Sequence, residues 1–522
     1  MNQRWTLIAA VLGSSIVFVD SSVVTVALPK IGRELPTTVL GVLEGQLYVY
    51  AGYLLTLSAL LILAGALSDF YGRRRVFLIG LVGFGLTSVL CGVAPNMEFL
   101  VLSRILQGAA GAILVPGSLA LLTAAFSGEA QGRAYGVWAA ATAATTILGP
   151  FIGGVLVDTI SWRVAFLINV PLVVVAVWAT ARYVPESRNE TATGHFDWLG
   201  AAVVAIAVGG LSFGATYGQQ REWRDPLAYI ALAAGVVATV AFPFLMRRSK
   251  DPLVPLELFR SRNFTVTNIS TLLIYGALYV TFYYLALFLQ GVLGYSASAA
   301  GLAGIPGGVL LVVLSTRFGG LAARYGPKIF MTVGPALMAI GVLWFSRVPA
   351  TSPAWVFLPG DPSTWFPPRE WFVDFLPGQI IFGFGLAMMV APLTTALMTS
   401  VPVRNSGVAS AVNNAISRVG PQLAGAVIFV AITASFYSGM AARIPGTDTS
   451  DPAFRHDYPP LTVPRTSDPR AQAARDQSTE AFHLAMYVGA ALLVAGALVN
   501  VVGISNEAAQ QAIKRRTPMT TV

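Results

Sequence analysis

"RAYGVWAAATAATTILGPFIGG", residues 133–154, returns without gaps 271 positions later as "RNSGVASAVNNAISRVGPQLAG", residues 404–425. Arg133/Arg404, Gly136/Gly407, Val137/Val408, Ala140/Ala411, Ala144/Ala415, Gly149/Gly420, Pro150/Pro421 and Gly154/Gly425 coincide. Small residues recur cheaply in apolar helices, whereas an Arg and a Gly-Pro at identical spacing point to an internal repeat. A second pair, "GALSDFYGRRRVFLIG" from Gly65 and "GLAARYGPKIFMTVG" from Gly320, matches Leu67/Leu321, Tyr71/Tyr325, Gly72/Gly326 and Gly80/Gly334 at an offset of 254. The two offsets differ by 271 − 254 = 17 residues, which an extra loop at 349–374 absorbs.

The setting of the repeat is a membrane. The 522 residues are 55% hydrophobic and 11% charged, with a mean hydropathy of +0.69, where a soluble domain carries about 25% charge. Apolar stretches of span length recur from end to end and exclude a string of water-soluble domains. A window of about 19 residues finds fourteen spans, near 5–28, 43–67, 76–94, 99–126, 133–158, 164–184, 197–216, 226–246, 263–291, 297–324, 328–348, 375–400, 405–437 and 482–503. With the repeat, this predicts an all-α integral membrane protein arranged as 6 + 2 + 6. Its parts are a six-helix bundle at 1–190, two inserted helices with linkers at 191–262, and a second bundle at 263–522 with outer loops 349–374 and 438–481. Two parallel six-helix halves suit alternating access around a site near the midplane. The lone Cys91 excludes an intrachain disulfide. Residues 1–19 run on past Asp20 to Leu28 without a convincing cleavage site and read as a retained first span.

An even span count puts both termini on one side. With the N-terminus inside, nineteen Lys/Arg face the cytoplasm and twelve the outside, while Arg104 and Arg418 fall within spans. The positive-inside bias therefore predicts cytoplasmic termini and accounts for the net charge of +9 without nucleic acid. At the Gly-Pro sites, Pro150 and Pro421 release the carbonyls of Thr146 and Ser417, and Gly149, Gly153 and Gly154 permit close helix approach. A tightly packed helix and a hinge are both compatible with this pattern.

"GALSDFYGRRR" resembles the signature loop of the major facilitator superfamily, "LSRILQGAAGA" its fourth-helix Arg motif, and "LGPFIGG" the antiporter motif of its exporters. Adding "VDSSVVTVALP", "SWRVAFLINVP", "YYLALFLQGVLGYSASAAGLAGIPGG" and "NSGVASAVNNAISRVG", the ordered set is similar to the fourteen-span drug/proton antiporter family over nearly the whole chain. The resemblance implies a major facilitator fold, multi-pass in a prokaryotic cytoplasmic membrane and working as a monomer. It implies multidrug efflux of small amphipathic compounds coupled to proton entry, with no enzyme activity, cofactor, ATP or metal. It assigns Gly65, Asp69, Gly72 and Arg73 to a cytoplasmic latch between helices of the first half, for which a local Asp69–Arg73 pair is the plainer alternative. It assigns Gly149, Pro150, Gly153 and Gly154 to an antiporter motif, and the repeat extends the hinge to Gly420 and Pro421. Three positions depart from the family pattern: Phe70 replaces the Arg after the loop Asp, and Ser22 and Thr25 replace Thr and Asn. In the second copy Ala323 aligns with Asp69.

A charged side chain at mid-membrane costs about 2.5–3.5 kcal/mol and calls for a partner or a cavity. Asp20 lies about eight residues before the outer end of the first span and Arg104 about five after the outer start of the fourth, so the two share a depth. This predicts direct or water-mediated contact and gives Asp20 the coupling proton; a static buried ion pair is the alternative. Glu44 and Asp158 sit at span ends, and spans nine to fourteen contain no acid. One central carboxylate suits neutral or singly cationic lipophilic substrates. Aromatic residues at helical spacing with polar neighbours supply the substrate candidates: Tyr50, Tyr53, Tyr275, Tyr279, Phe282, Tyr283, Gln290, Asn413, Asn414 and Arg418. Ordinary interhelix packing is the alternative at each. Trp355, Trp365 and Trp371 among prolines place loop 349–374 at the bilayer interface, and composition suggests loose order in 438–481. Export of an endogenous lipid, siderophore or antibiotic is a second function, and a non-transporting scaffold or sensor a third.

Overall fold

In hydrocarbon a backbone must satisfy its own hydrogen bonds, so long apolar runs become helices. The computed structural model describes residues 3–37, 42–188, 196–221, 223–358, 360–444, 446–461, 463 and 469–507. Among them there is no strand. The long helices are α1 (Gln3–Glu34), α2 (Val42–Tyr71), α3 (Arg73–Gly92), α4 (Met97–Ala125), α5 (Gly128–Thr159), α6 (Asn169–Tyr183), α7 (Trp198–Gln220), α8 (Pro226–Arg248), α9 (Arg262–Leu287), α10 (Ile305–Tyr325), α11 (Lys328–Phe345), α12 (Leu376–Thr399), α13 (Ser406–Arg443) and α14 (Pro469–Gly503). Thirteen stretches among the described residues are long and apolar enough to cross a membrane; α5, at 32 residues, is outside that set.

The repeat read from the sequence reappears in packing. In the first copy α1 packs on α5 and α6, α2 on α4, and α3 on α4 and α6; in the second, α9 packs on α13 and α14, α10 on α12, and α11 on α12 and α14. Between the copies, α7 and α8 pack on each other, and α7 rests on α2 and α13. The copies meet along two seams, α2 with α13 and α5 with α10. Glycine makes both possible. A Cβ on Gly65 would strike the Gly407 carbonyl and Ala411, and one on Gly132 would strike the Gly319 carbonyl and Ala323.

The outer segments differ from the expectation. α13 continues to Arg443 and α14 starts at Pro469, so both helices project into 438–481, and that segment adds a helix at Pro452–Asp457. Leu461 and Val463 are buried, and Leu461 N–H donates to Ser478 Oγ at 3.1 Å. The described part is therefore packed. In 349–374, Trp355 and Trp371 are buried against each other, and Trp355 Nε1 donates to the Thr364 carbonyl. Two of the three tryptophans thus fold the loop, leaving Trp365, Phe366 and Phe372 as its exposed rings. Proline density masked this, because the Trp355 indole finds a carbonyl inside the loop itself.

One residue, Gly72, separates α2 from α3, at φ 110°, a conformation that favours glycine. Glu186 closes the turn: its carboxylate accepts from the N–H groups of Arg74 at 3.0 Å and Arg75 at 3.1 Å, at the positive end of α3. Glu186→Ala is expected to cost about 1 kcal/mol, read as a lower thermal midpoint of the purified protein in detergent.

Candidate transport site

The first-span carboxylate sits at the centre of a buried polar cluster. Asp20 and Arg104 both have 0% exposure, and Arg104 Nη1 donates to Asp20 Oδ2 at 2.5 Å. Asp20 Oδ1 accepts from Gln107 Nε2 at 3.0 Å and Asn169 Nδ2 at 2.9 Å. Gln107 Nε2 also reaches Ser88 Oγ at 2.9 Å, and Gln107 Oε1 accepts from Arg104 Nη1 at 2.7 Å. Arg104 Nε donates to the Val49 carbonyl, and its guanidinium carbon stands 3.9 Å from the centroid of the Tyr53 ring. Two polar atoms of this cluster, Arg104 Nη2 and Asn169 Oδ1, are buried without a hydrogen-bond partner.

The shared depth of Asp20 and Arg104 thus becomes direct contact. Gln107, Asn169 and Ser88 were missed, although "LSRILQGAAGA" and "SWRVAFLINVP" contain the first two. Gln107 stands three residues after Arg104, on the same helix face, and that spacing was the available signal. Ser21 and Ser22 return their hydroxyls to the α1 carbonyls of Val17 and Val19, which explains their tolerance in an apolar helix. α5 closes over this stretch: a Cβ on Gly149 would strike Ser22 Oγ, and one on Gly153 would strike Val23. The equivalent site in the second copy does the same on α9, where a Cβ on Gly420 would meet the Leu272 carbonyl. Pro421 lies inside the continuous α13 helix, while the surroundings of Pro150 and Gly154 and the side chains of Glu44, Asp158 and Thr25 lie outside what is described.

The latch residues reach further than the sequence suggested. Arg73 Nη2 and Nε bond Asp69 Oδ1 at 2.9 and 3.1 Å, the local pair. The other oxygen, Oδ2, accepts from the Val408 N–H at 3.0 Å, at the first turn of α13, and Arg73 Nη2 donates to the Val403 carbonyl. The contact therefore joins α2 and α3 of the first half and also ties them to the second copy. The additional partner is backbone at a helix N-terminus, which leaves no sequence signal. Ala323 takes the equivalent place on the other seam, beside Gly132.

The aromatic candidates divide. Arg418 lies within electrostatic reach of Tyr50, Tyr53 and Tyr279 across the interface of the copies, and Tyr50 of Tyr279, with Tyr279 half exposed and Tyr275 6.3 Å from it, ring to ring. Phe282 packs edge-on to Phe382, and Tyr283, 60% exposed, packs on Tyr284. Asn413 is buried, donating to Asn268 Oδ1 and Thr271 Oγ1 of α9; Asn414 bonds Ser410 of its own helix. These two asparagines are joined to helices rather than presented to a ligand. Gln290 is exposed on the π turn Phe288–Val292 that ends α9, away from the four-residue group.

A profile of the Major Facilitator Superfamily matches residues 10–425. The chain belongs to the Major Facilitator Superfamily. Multidrug resistance protein Stp of Mycobacterium tuberculosis (strain CDC 1551 / Oshkosh) is 32% identical over 90% of this chain and 83% of its own length. The tetracenomycin C resistance and export protein of Streptomyces glaucescens is 31% identical over 91% and 81%. A solved structure of a double-Trp mutant of XylE superposes with a TM-score of 0.57 at 15% identity, covering 98% of both chains. The Major Facilitator fold and the transporter-named relatives make this multi-pass membrane protein a transporter and not an enzyme.

Proposed function

We propose that the protein is a proton-coupled exporter of small amphipathic, lipophilic compounds, working by alternating access as a monomer in the cytoplasmic membrane. The observation that carries the reading is the Asp20–Arg104 pair: a carboxylate of 0% exposure, held by one guanidinium and two amides, inside a transporter of this family. Protonating Asp20 removes the charge that Arg104 balances. The guanidinium keeps Gln107 Oε1 and the Val49 carbonyl as acceptors, so the pair can part without stranding both groups.

In this reading α5 is the fourteenth span, which gives 6 + 2 + 6 with both termini in the cytoplasm and the three parts at 1–190, 191–262 and 263–522. Its length and its packing on α1 and α10 support that count. The Asp69–α13 contact then closes the cytoplasmic side. Gly149 and Gly153 against α1 let α5 slide beside the proton site, and Tyr50, Tyr53, Tyr275 and Tyr279 line the substrate path. Efflux of drug-like compounds is further supported by relatives named for multidrug resistance and for tetracenomycin C resistance and export.

The test is substrate uptake into inverted vesicles under an imposed proton gradient. Uptake above vesicles lacking the protein, abolished by an uncoupler, is expected; uptake indifferent to the uncoupler would refute the coupling, and none for any compound of a broad panel would favour a scaffold or sensor.

A further inference from the structure

At the interface of the copies, Arg418 of α13 stands near tyrosines of α2 and α9. Ala411 of α13 meets Gly65 of α2 at the seam, and Arg418 stands seven residues on, two helical turns along the same stripe and roughly 10 Å from it. Its side chain is partly exposed. Among the described residues it has no hydrogen-bond or ion-pair partner, and the groups acting on it are the phenols of Tyr279, Tyr53 and Tyr50, with no carboxylate. Asp20, which would have supplied a negative charge, is enclosed behind Tyr53 and neutralised by Arg104. A guanidinium in low dielectric without a counter-ion is expensive, and a cleft lined by one sign of charge concentrates the opposite sign.

We propose that Arg418 is a substrate-binding residue that selects amphipathic molecules carrying a single oxyanion, a carboxylate or an ionised phenol, with Tyr50 and Tyr279 packing the apolar body. This rests on the exporter reading and reverses the preference for cations. That expectation counted carboxylates; the structure hides the one central carboxylate and leaves a partly exposed Arg without a counter-ion among the described residues. The guanidinium fork fits a carboxylate with two parallel hydrogen bonds, and phenol hydroxyls beside it add donors.

Counterflow in proteoliposomes at one pH, with no gradient, separates substrate choice from coupling. The probes are three anthraquinones of matched size bearing a carboxylate, an alcohol or a trimethylammonium group. Wild type is expected to prefer the carboxylate. Arg418→Gln should weaken it about tenfold or more while sparing the alcohol, and Arg418→Lys should restore part of the preference. Preference for the ammonium probe by wild type, or an unchanged carboxylate affinity in a folded Arg418→Gln protein, overturns the proposal. If Arg418→Gln does not fold, the wild-type order alone decides. Adding phosphatidylglycerol to phosphatidylcholine liposomes distinguishes the source: no competition assigns the site to a dissolved anion, competition to a lipid phosphate, and both support an oxyanion site. Loss of gradient-driven uptake with carboxylate preference intact would refute the proton coupling and leave this site standing.

Discussion

Asp20→Asn is expected to lower proton-gradient-driven uptake into inverted vesicles at least about 100-fold while leaving counterflow within a few-fold of wild type. Asn keeps the size of Asp but carries neither a titratable proton nor a charge, and it puts an NH2 donor where one of the two accepting oxygens stood. Asp20 is the acceptor for Arg104, Gln107 and Asn169 at once. The substitution leaves Arg104 buried without its counter-charge, and removing one partner of a buried pair costs about 3–5 kcal/mol. A thermal midpoint and counterflow on the same preparation separate that cost from lost coupling. Normal gradient-driven, uncoupler-sensitive transport by a folded Asp20→Asn protein would remove the proton from this site.

The second large effect is expected at the α2–α13 seam. A Cβ on Gly65 would lie against the Gly407 carbonyl, a backbone atom that cannot step aside as a side-chain tip can. Gly65→Val therefore forces α2 and α13 apart, breaks the Asp69–Val408 bond, and removes the closed seam from the conformations the protein can visit. Transport is expected to fall to background in both gradient-driven and counterflow assays, since each cycle must pass through that closure, while an immobilised substrate analogue still binds. Transport within twofold of wild type would mean that the seam does not close in the cycle.

The architecture was legible because the repeat carries it: Gly149-Pro150 and Gly420-Pro421 mark corresponding helices, and α5 on α1 matches α13 on α9. Asp20 and Arg104 were legible because charge in hydrocarbon is costly enough to be rare. What surrounds them was not, because Gln107, Asn169 and Ser88 are neutral and common, and nothing in the chain order brings the start of α6 to the middle of α1. The reach of Asp69 into the second copy was hidden for another reason, since its acceptor bond ends on a backbone N–H that every residue but proline possesses. Asn413 misled in the opposite direction: an amide that looks available to a ligand is committed to Asn268 and Thr271.

The unequal seams have a thermodynamic consequence. A carboxylate at a helix N-terminus contributes about 0.3–1 kcal/mol and at most about 2 when partly buried, which is roughly a twofold to thirtyfold ratio between two conformers at room temperature. Such a bond sets a resting occupancy rather than a state. With Asp69 on one seam and Ala323 on the other, the bias comes from a single residue, and Asp69→Asn is expected to yield a working carrier whose turnover shifts by less than about thirtyfold. A cysteine pair reporting closure should show its share of closed molecules falling by the same factor; an unchanged share would place the bias elsewhere. A carrier must spend time on both sides of the membrane, and a contact much stronger than this one would hold it on one of them.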